Sequence, residues 1–180
     1  MKREIIVGVS GGIAAYKSAS LVSQLVQADN AVTVVMTESA KQFVGEATFA
    51  ALTGRTVASD SFDPSAYPLG AHIELARRAE LLCVAPATAN YLAQAACGLA
   101  SDLLSTLTLC FKGPILVAPA MNNEMWTNPS VQRNVAQVIA DGFHTIGPNE
   151  GWLSCRERGP GRMAEPAEIA AEVHRLLSEK

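Results

Sequence analysis

The chain has 180 residues, 49% of them hydrophobic and 17% charged, with a net charge of −3 and a pI near 5.6. That balance suits one domain with a substantial core and excludes a disordered chain, and with no basic cluster it argues against a nucleic-acid partner. No apolar run approaches membrane-spanning length, and Met1-Lys2-Arg3-Glu4 leads straight into an apolar stretch, which leaves no room for a signal peptide.

Ile5, Ile6, Val7 and Val9 form a short β-branched run of the kind a strand buried on both faces requires. Ser10-Gly11-Gly12 then permits a tight turn, and Ile13, Leu21 and Leu25 recur at helical spacing to about Gln27. A strand, a Gly-rich turn and a helix N-terminus together make a phosphate site; the bland alternative is an ordinary βα turn. Gly8-Val9-Ser10-Gly11-Gly12 lacks the dinucleotide glycine spacing, so a mononucleotide is expected. Ala31-Val-Thr-Val-Val-Met36 reads as the second strand. Ser39-Ala-Lys-Gln42 has the form of a capping box, opening a helix to about Leu52 with Gly54 as its stop. Between them, Glu38 could hold a ribose, but Thr37 and Ser39 suit phosphate or ribityl contacts and are preferred because the first loop is wrong for a dinucleotide.

Residues 58–70 carry Pro64, Pro68 and Gly70 without periodicity and read as a loop. A short helix from His72 to about Arg78 follows, then a buried strand over 81–85 that runs into Pro86-Ala-Thr-Ala-Asn90. A helix pair fills 91–111 with a break near 98–101. The fourth strand covers 115–118 and runs into Pro119-Ala-Met-Asn-Asn-Glu-Met-Trp126. Asn128-Pro129 opens a helix to about Ala140, 143–146 forms a fifth strand, and 149–165 reads as a long irregular segment rich in Gly and Arg. Pro166 opens the last helix, with Ile169, Val173, Leu176 and Leu177 on its apolar face. Strands alternating with helices predict an α/β fold: a three-layer, Rossmann-like, flavodoxin-type parallel sheet flanked by helices on both faces, in a single domain over 1–180. Ligands in such sheets bind beyond the carboxyl ends of the strands, where the polar turns can meet.

Several residues could carry chemistry. Cys155 lies in Gly151-Trp-Leu-Ser-Cys-Arg-Glu-Arg-Gly-Pro-Gly-Arg-Met163, where Arg156, Arg158 and Arg162 surround it with positive charge and Gly159 and Gly161 would let the segment bend as a flap. Taken by itself it reads first as a surface loop with an incidental cysteine. Cys83 and Cys110 sit in apolar runs, Cys97 suits helix packing, and no CxxC pair or metal spacing occurs; reduced thiols in the cytoplasm are the simplest reading. His72 could serve as a base or orient a carboxylate, or be an inconsequential helix-start residue. His144 and His174 read as structural. Asn122 and Asn123 could hold a carboxylate or cap the next turn. Met121, Met125 and Trp126 could be core, or a wall beside a planar ring.

Taken together these segments closely resemble the flavin-containing cysteine decarboxylase family, of the phosphopantothenoylcysteine decarboxylase type. Pro86-Ala-Thr-Ala-Asn90 resembles the family's flavin-binding PASAN segment, with Thr88 in place of the commoner Ser. Pro119 to Trp126 resembles its PxMNxxMW motif, and Gly151 to Met163 its cysteine-bearing substrate clamp. The opening Ser10-Gly-Gly-Ile-Ala-Ala-Tyr-Lys17 and His72-Ile73 also fit. The clamp usually has Gly after the cysteine, where this chain has Arg156.

The resemblance implies FMN as cofactor, contacted by Ser10, Gly11, Gly12, Ile13, Thr37, Ser39, Ala87, Thr88, Ala89, Asn90, Ala120 and Met121. It implies His72, Cys155 and Asn122 as catalytic, and Asn122, Cys155, Gly161, Arg162 and Met163 as contacts to 4′-phosphopantothenoylcysteine. The implied reaction is a decarboxylation to 4′-phosphopantetheine in coenzyme A biosynthesis, catalysed by a carboxy-lyase. By this resemblance FMN would oxidise the thiol to a thioaldehyde, loss of CO2 would give an enethiolate, and Cys155 would protonate it while reduced flavin returns its electrons. Family members assemble as trimers or dodecamers with the site between subunits, so His72 could serve a neighbour's flavin, and phosphopantothenate-cysteine ligase is a possible partner. A peptidyl-cysteine decarboxylase stopping at the enethiol, or a non-catalytic flavoprotein of the same fold, are the alternatives; Cys155 counts against the first.

Overall fold

In the computed structural model, which describes residues 2–179, the apolar runs become strands β1 (Glu4–Val9), β2 (Ala31–Met36), β3 (Leu81–Ala87), β4 (Ile115–Pro119) and β5 (His144–Thr145). They form one sheet in the order β2-β1-β3-β4-β5, every neighbouring pair parallel. Parallel neighbours need crossovers, and helices supply them on both faces, as the unbroken burial of β3 demands. Alternate strand residues feed two separate cores. Ile5, Val7 and Val9 of β1 pack with α1 (Ala15–Gln27), α3 (Glu46–Thr53) and α9 (Pro166–Ser178). Ile6 packs on the other face with α4 (Ala71–Arg78), α5 (Ala89–Cys97), α6 (Leu103–Cys110) and α8 (Pro129–Ala140). The flavodoxin-type expectation holds, with the order reversing at β1, so that loops after β1 and β3 part to opposite faces and leave a crevice between them.

The helix between β2 and the long loop differs from expectation. The Thr37 hydroxyl, not Ser39, takes the cap by accepting from Ala40 N at 3.2 Å, and starts a single turn, α2 (Glu38–Lys41). The chain breaks before Gly45 and restarts as α3, which ends at Gly54 in the left-handed region (φ 67°). Residues 58–70 are irregular except for one bridge from Ala58 to Val35. At the opposite end of the sheet from the crevice, Arg55 grips Glu4 through two bonds of 2.8 and 2.9 Å, and the buried Thr33 hydroxyl accepts from both Arg55 and Arg78. These bonds from Arg55 hold the Glu4 carboxyl below its ordinary range.

The segment 149–165 is not irregular. It folds as an antiparallel hairpin of β6 (Asn149–Trp152) and β7 (Arg158–Arg162), separate from the main sheet. Its strands lack an apolar–polar alternation, because what holds them is docking on a loop rather than burial of one face. The tip is closed by Arg156 N–H to the Leu153 carbonyl and Leu153 N–H to the Glu157 carbonyl, both 2.9 Å. Arg156 itself has φ 67°. A tight turn followed by a left-handed residue is the three-residue hairpin loop, whose last position favours glycine. This accounts physically for the glycine usual after the cysteine in related clamps.

Candidate active site

The loops that leave β1, β3 and β4 surround a cavity of about 530 Å³, and the hairpin roofs it. Its floor is Gly11 to Ala14; the amide groups of these residues find no backbone acceptor among the described residues. Gly11 is required because a Cβ there would run into Ser39 behind it. Thr88, Ala89 and Asn90 form one side, Ala120, Met121 and Asn122 another, and Gly161, Arg162 and Met163 the base of the roof. The roof joins the wall through Met121 N–H to the Gly161 carbonyl at 2.9 Å, and Gly161 (φ 128°) leaves no space for a Cβ against the Met121 carbonyl oxygen.

Of the residues that the resemblance assigns to cofactor, substrate or catalysis, twelve line one cavity: Gly11, Gly12, Ile13, Thr88, Ala89, Asn90, Ala120, Met121, Asn122, Gly161, Arg162 and Met163. The others lie off its wall, each for a definite reason. Ser10 is buried and its hydroxyl is committed internally, donating to the Pro86 carbonyl at 2.7 Å and accepting from Thr88 N at 3.0 Å, so it ties the β1 loop to the β3 loop. Thr37 caps α2, Ser39 backs Gly11, and Ala87 is buried in β3 with its carbonyl accepting from Ala120 N at 3.1 Å. His72 sits on α4, where its carbonyl receives the Cys110 thiol at 3.5 Å, on the face of the sheet away from α1. Cys155 stands exposed at the hairpin tip, while the adjacent Leu153 and Ser154 reach the cavity.

Asn122 takes the capping role and keeps a donor to spare. Its Oδ1 accepts from Met125 N at 2.8 Å and caps α7 (Asn123–Thr127), which leaves Nδ2 as a donor with no partner among the described residues. Of the residues that could wall a planar ring, Met121 and Met125 do, whereas Trp126 packs into the core beneath. Lys17, Tyr16, Trp152 and Leu153 also line the cavity and were not singled out from the sequence. Lys17 shares a helix face with Ile13, a spacing that could have flagged it; Trp152 could not be placed without knowing that a hairpin forms.

The walls are largely apolar (Ile13, Met121, Met125, Trp152, Leu153, Met163), with donors at the edges and unpartnered amides on the floor. Such a space suits a flat aromatic ring carrying an anionic tail. A family model described as Flavoprotein matches residues 1–178. The coenzyme A biosynthesis bifunctional protein CoaBC of Vibrio cholerae serotype O1 is 44% identical over 178 residues, 99% of this chain and 45% of that protein. This chain thus spans less than half the length of the curated relatives it matches. Among solved structures, a mutant PPC decarboxylase complexed with pantothenoylaminoethenethiol superposes with a TM-score of 0.90 at 32% identity, covering all of both chains. The FMN-dependent cysteine decarboxylase SpaF superposes at 0.85 and 30% identity over 98% of this chain and 96% of its own. With a family model that runs nearly end to end, a relative 44% identical over almost the whole chain and a superposition that covers both chains completely, the chain belongs to the flavoprotein family, among its flavin-containing cysteine decarboxylases.

Proposed function

We propose that this chain binds FMN and decarboxylates 4′-phosphopantothenoylcysteine to 4′-phosphopantetheine. The observation that carries the reading is the pairing of a glycine-floored, apolar cavity, walled in part by Asn122 with its free amide donor, with a hairpin roof that carries Cys155 at its exposed tip. Relatives named for coenzyme A biosynthesis and a neighbouring PPC decarboxylase support it. The ring would rest between Met121 and the β1 loop, with the amides of Gly11 to Ala14 and the Thr88 and Asn90 side chains as polar contacts. Bound flavin would supply a two-electron acceptor that takes the thiol carbon to the thiocarbonyl level needed as an electron sink for loss of CO2, and in its reduced form would return the same two electrons, so that the product is the saturated thiol and the cofactor is regenerated.

The chain's own residues then have separable tasks. Asn122 Nδ2 orients the carboxylate by a neutral hydrogen bond, which does not overstabilise the group that must leave. The hairpin covers the reacting carbon and excludes water, since Leu153 is buried beneath it and its base is pinned at Met121. Swinging about Gly159 and Gly161, the tip delivers the Cys155 thiol proton to the enethiolate carbon. His72 acts from a neighbouring subunit. That arrangement gives a role to Ile13 and Tyr16, exposed by 56% and 61% at the cavity mouth, and to Phe62 and Leu69 in the loop just before His72. A trimer or a multiple of it, in the cytoplasm, with phosphopantothenate-cysteine ligase supplying the substrate, completes the reading; no helix among the described residues is long and apolar enough to cross a membrane. Residues 1–180 act as one flavoprotein domain.

The test is mass spectrometry of the products. Wild-type protein is expected to be yellow and to release CO2 with pantetheine phosphate, and Cys155→Ser to decarboxylate but accumulate the oxidised enethiol. Full pantetheine phosphate from that variant would remove Cys155 from its role, and a colourless protein that takes up no FMN would end the proposal.

A further inference from the structure

The cavity contains a charge arrangement that the decarboxylation step does not use. Lys17 Nζ lies 3.1 Å from Glu165 Oε1, and Arg162 Nη2 bonds the same oxygen. Among the described residues Glu165 is the ion-pair partner of both cations. Two positive charges therefore share one negative charge at the wall of the cavity, and the cluster keeps a net charge of +1. The Lys17 side chain is only 12% exposed, so its ammonium group serves the cavity rather than bulk water. The Arg162 side chain lies across Gly151, where an added Cβ would meet its Cδ at 2.9 Å and its Nη1 at 3.0 Å. Glycine on β6 thus makes room for the guanidinium beside the cavity that Arg162 lines.

We propose that Lys17 and Arg162 form a phosphomonoester site, with Glu165 as the carboxylate that holds both cations in place until the ligand arrives. An arginine fork and an ammonium point charge suit a group of charge −1.5 to −2 at neutral pH, and the cluster offers it one uncompensated positive charge while Glu165 stays ionised and two if the phosphate displaces Glu165 from the cations. The reacting carboxylate is the wrong occupant: a strong cationic clamp would stabilise it before it leaves and slow its loss, and Asn122 already offers a neutral donor. A phosphoryl group takes no part in the chemistry, so tight binding there is spent on recognition. The inference rests on the proposed function for the identity of the two candidate sources, the 5′-phosphate of the flavin and the 4′-phosphate of the substrate.

The experiment compares matched pairs on the full chain. Protein stripped of flavin is titrated with FMN and with riboflavin by fluorescence quenching, and the holoenzyme is assayed with phosphorylated and dephosphorylated pantothenoylcysteine. Lys17→Met is expected to weaken the phosphorylated member of one pair by about tenfold and its dephosphorylated partner by less than about twofold. The pair that responds assigns the phosphate to the flavin or to the substrate. Lys17→Arg should restore the discrimination, and Glu165→Gln, which frees both cations, should tighten the same phosphorylated member. Equal weakening of both members, or no change in either pair, overturns the proposal. Should Lys17→Met fail to fold, Glu165→Gln decides alone: unchanged or weaker binding of both phosphorylated ligands sinks it. Wild-type protein that turns over no substrate would refute the decarboxylase reading while the flavin pair still tests this site.

Discussion

Replacing Arg156 by Gly should tighten the hairpin that carries Cys155. A side chain in the left-handed region costs about 1–2 kcal/mol through contact of its Cβ with the following carbonyl, and Arg156 sits there at φ 67°. Glycine removes that cost but loses more backbone entropy on ordering, by about 0.5–1 kcal/mol, so the net gain is about 1 kcal/mol. The gain falls on one local opening, since the tip is closed by two backbone bonds, Arg156 N to Leu153 O and Leu153 N to Glu157 O, above the buried Leu153. Native-state amide exchange reads it directly. The amides of Leu153 and of residue 156 should exchange about fivefold more slowly in Arg156→Gly, and faster in Arg156→Val, where a β-branched side chain adds strain. Amides in β1 and β3 should not change. Equal or faster exchange at the tip of the glycine variant would show that the tip is not strained at Arg156, and the account of its conformation would fail.

Gly161→Ala should do the reverse at the other end of the hairpin: a Cβ there meets the Met121 carbonyl at a φ of 128°, costing about 1–3 kcal/mol, and flavin should dissociate faster while the main melting transition moves little. Glu4 has a carboxyl held below its ordinary 4.5 by the Arg55 hydrogen bonds, so its contribution is present above that value and lost as pH falls through the lower folded one. Glu4→Gln should accordingly lower the unfolding free energy measured in urea at pH 7 by about 1 kcal/mol, with wild type and variant converging as pH falls through the lowered folded value. Thiol titration with a disulfide reagent at about pH 8 should count Cys97 and Cys155 quickly and Cys110 more slowly. Cys83, buried in β3 with its thiol pushed up to about 12 by desolvation, should react only after unfolding. Fast labelling of Cys83 in the folded protein would mean that β3 is not where it is described.

The α/β class, the strand positions and the helices α1, α5, α6, α8 and α9 were legible in the sequence because each rests on local physics. Unbroken apolar runs must be buried on both faces, and helical spacing must turn one face inward. The same holds for the turns after β1, β3 and β4, whose glycines and amides belong at strand ends and do line the cavity. Tertiary structure alone decided the rest. Thr37 caps α2 because the chain leaves β2 extended at Thr37 and is already helical at Ser39, and Ser10 was taken from the ligand by Pro86 and Thr88, 76 and 78 residues away. The hairpin could not be read in advance, since its strands carry no period and are held by a loop from another part of the chain. Lys17, Arg162 and Glu165 meet only after α1, β7 and α9 have converged, and charge pairing across 148 residues leaves no trace in local spacing. Local propensity sets which elements form; long-range contact sets which of their polar atoms remain free to bind.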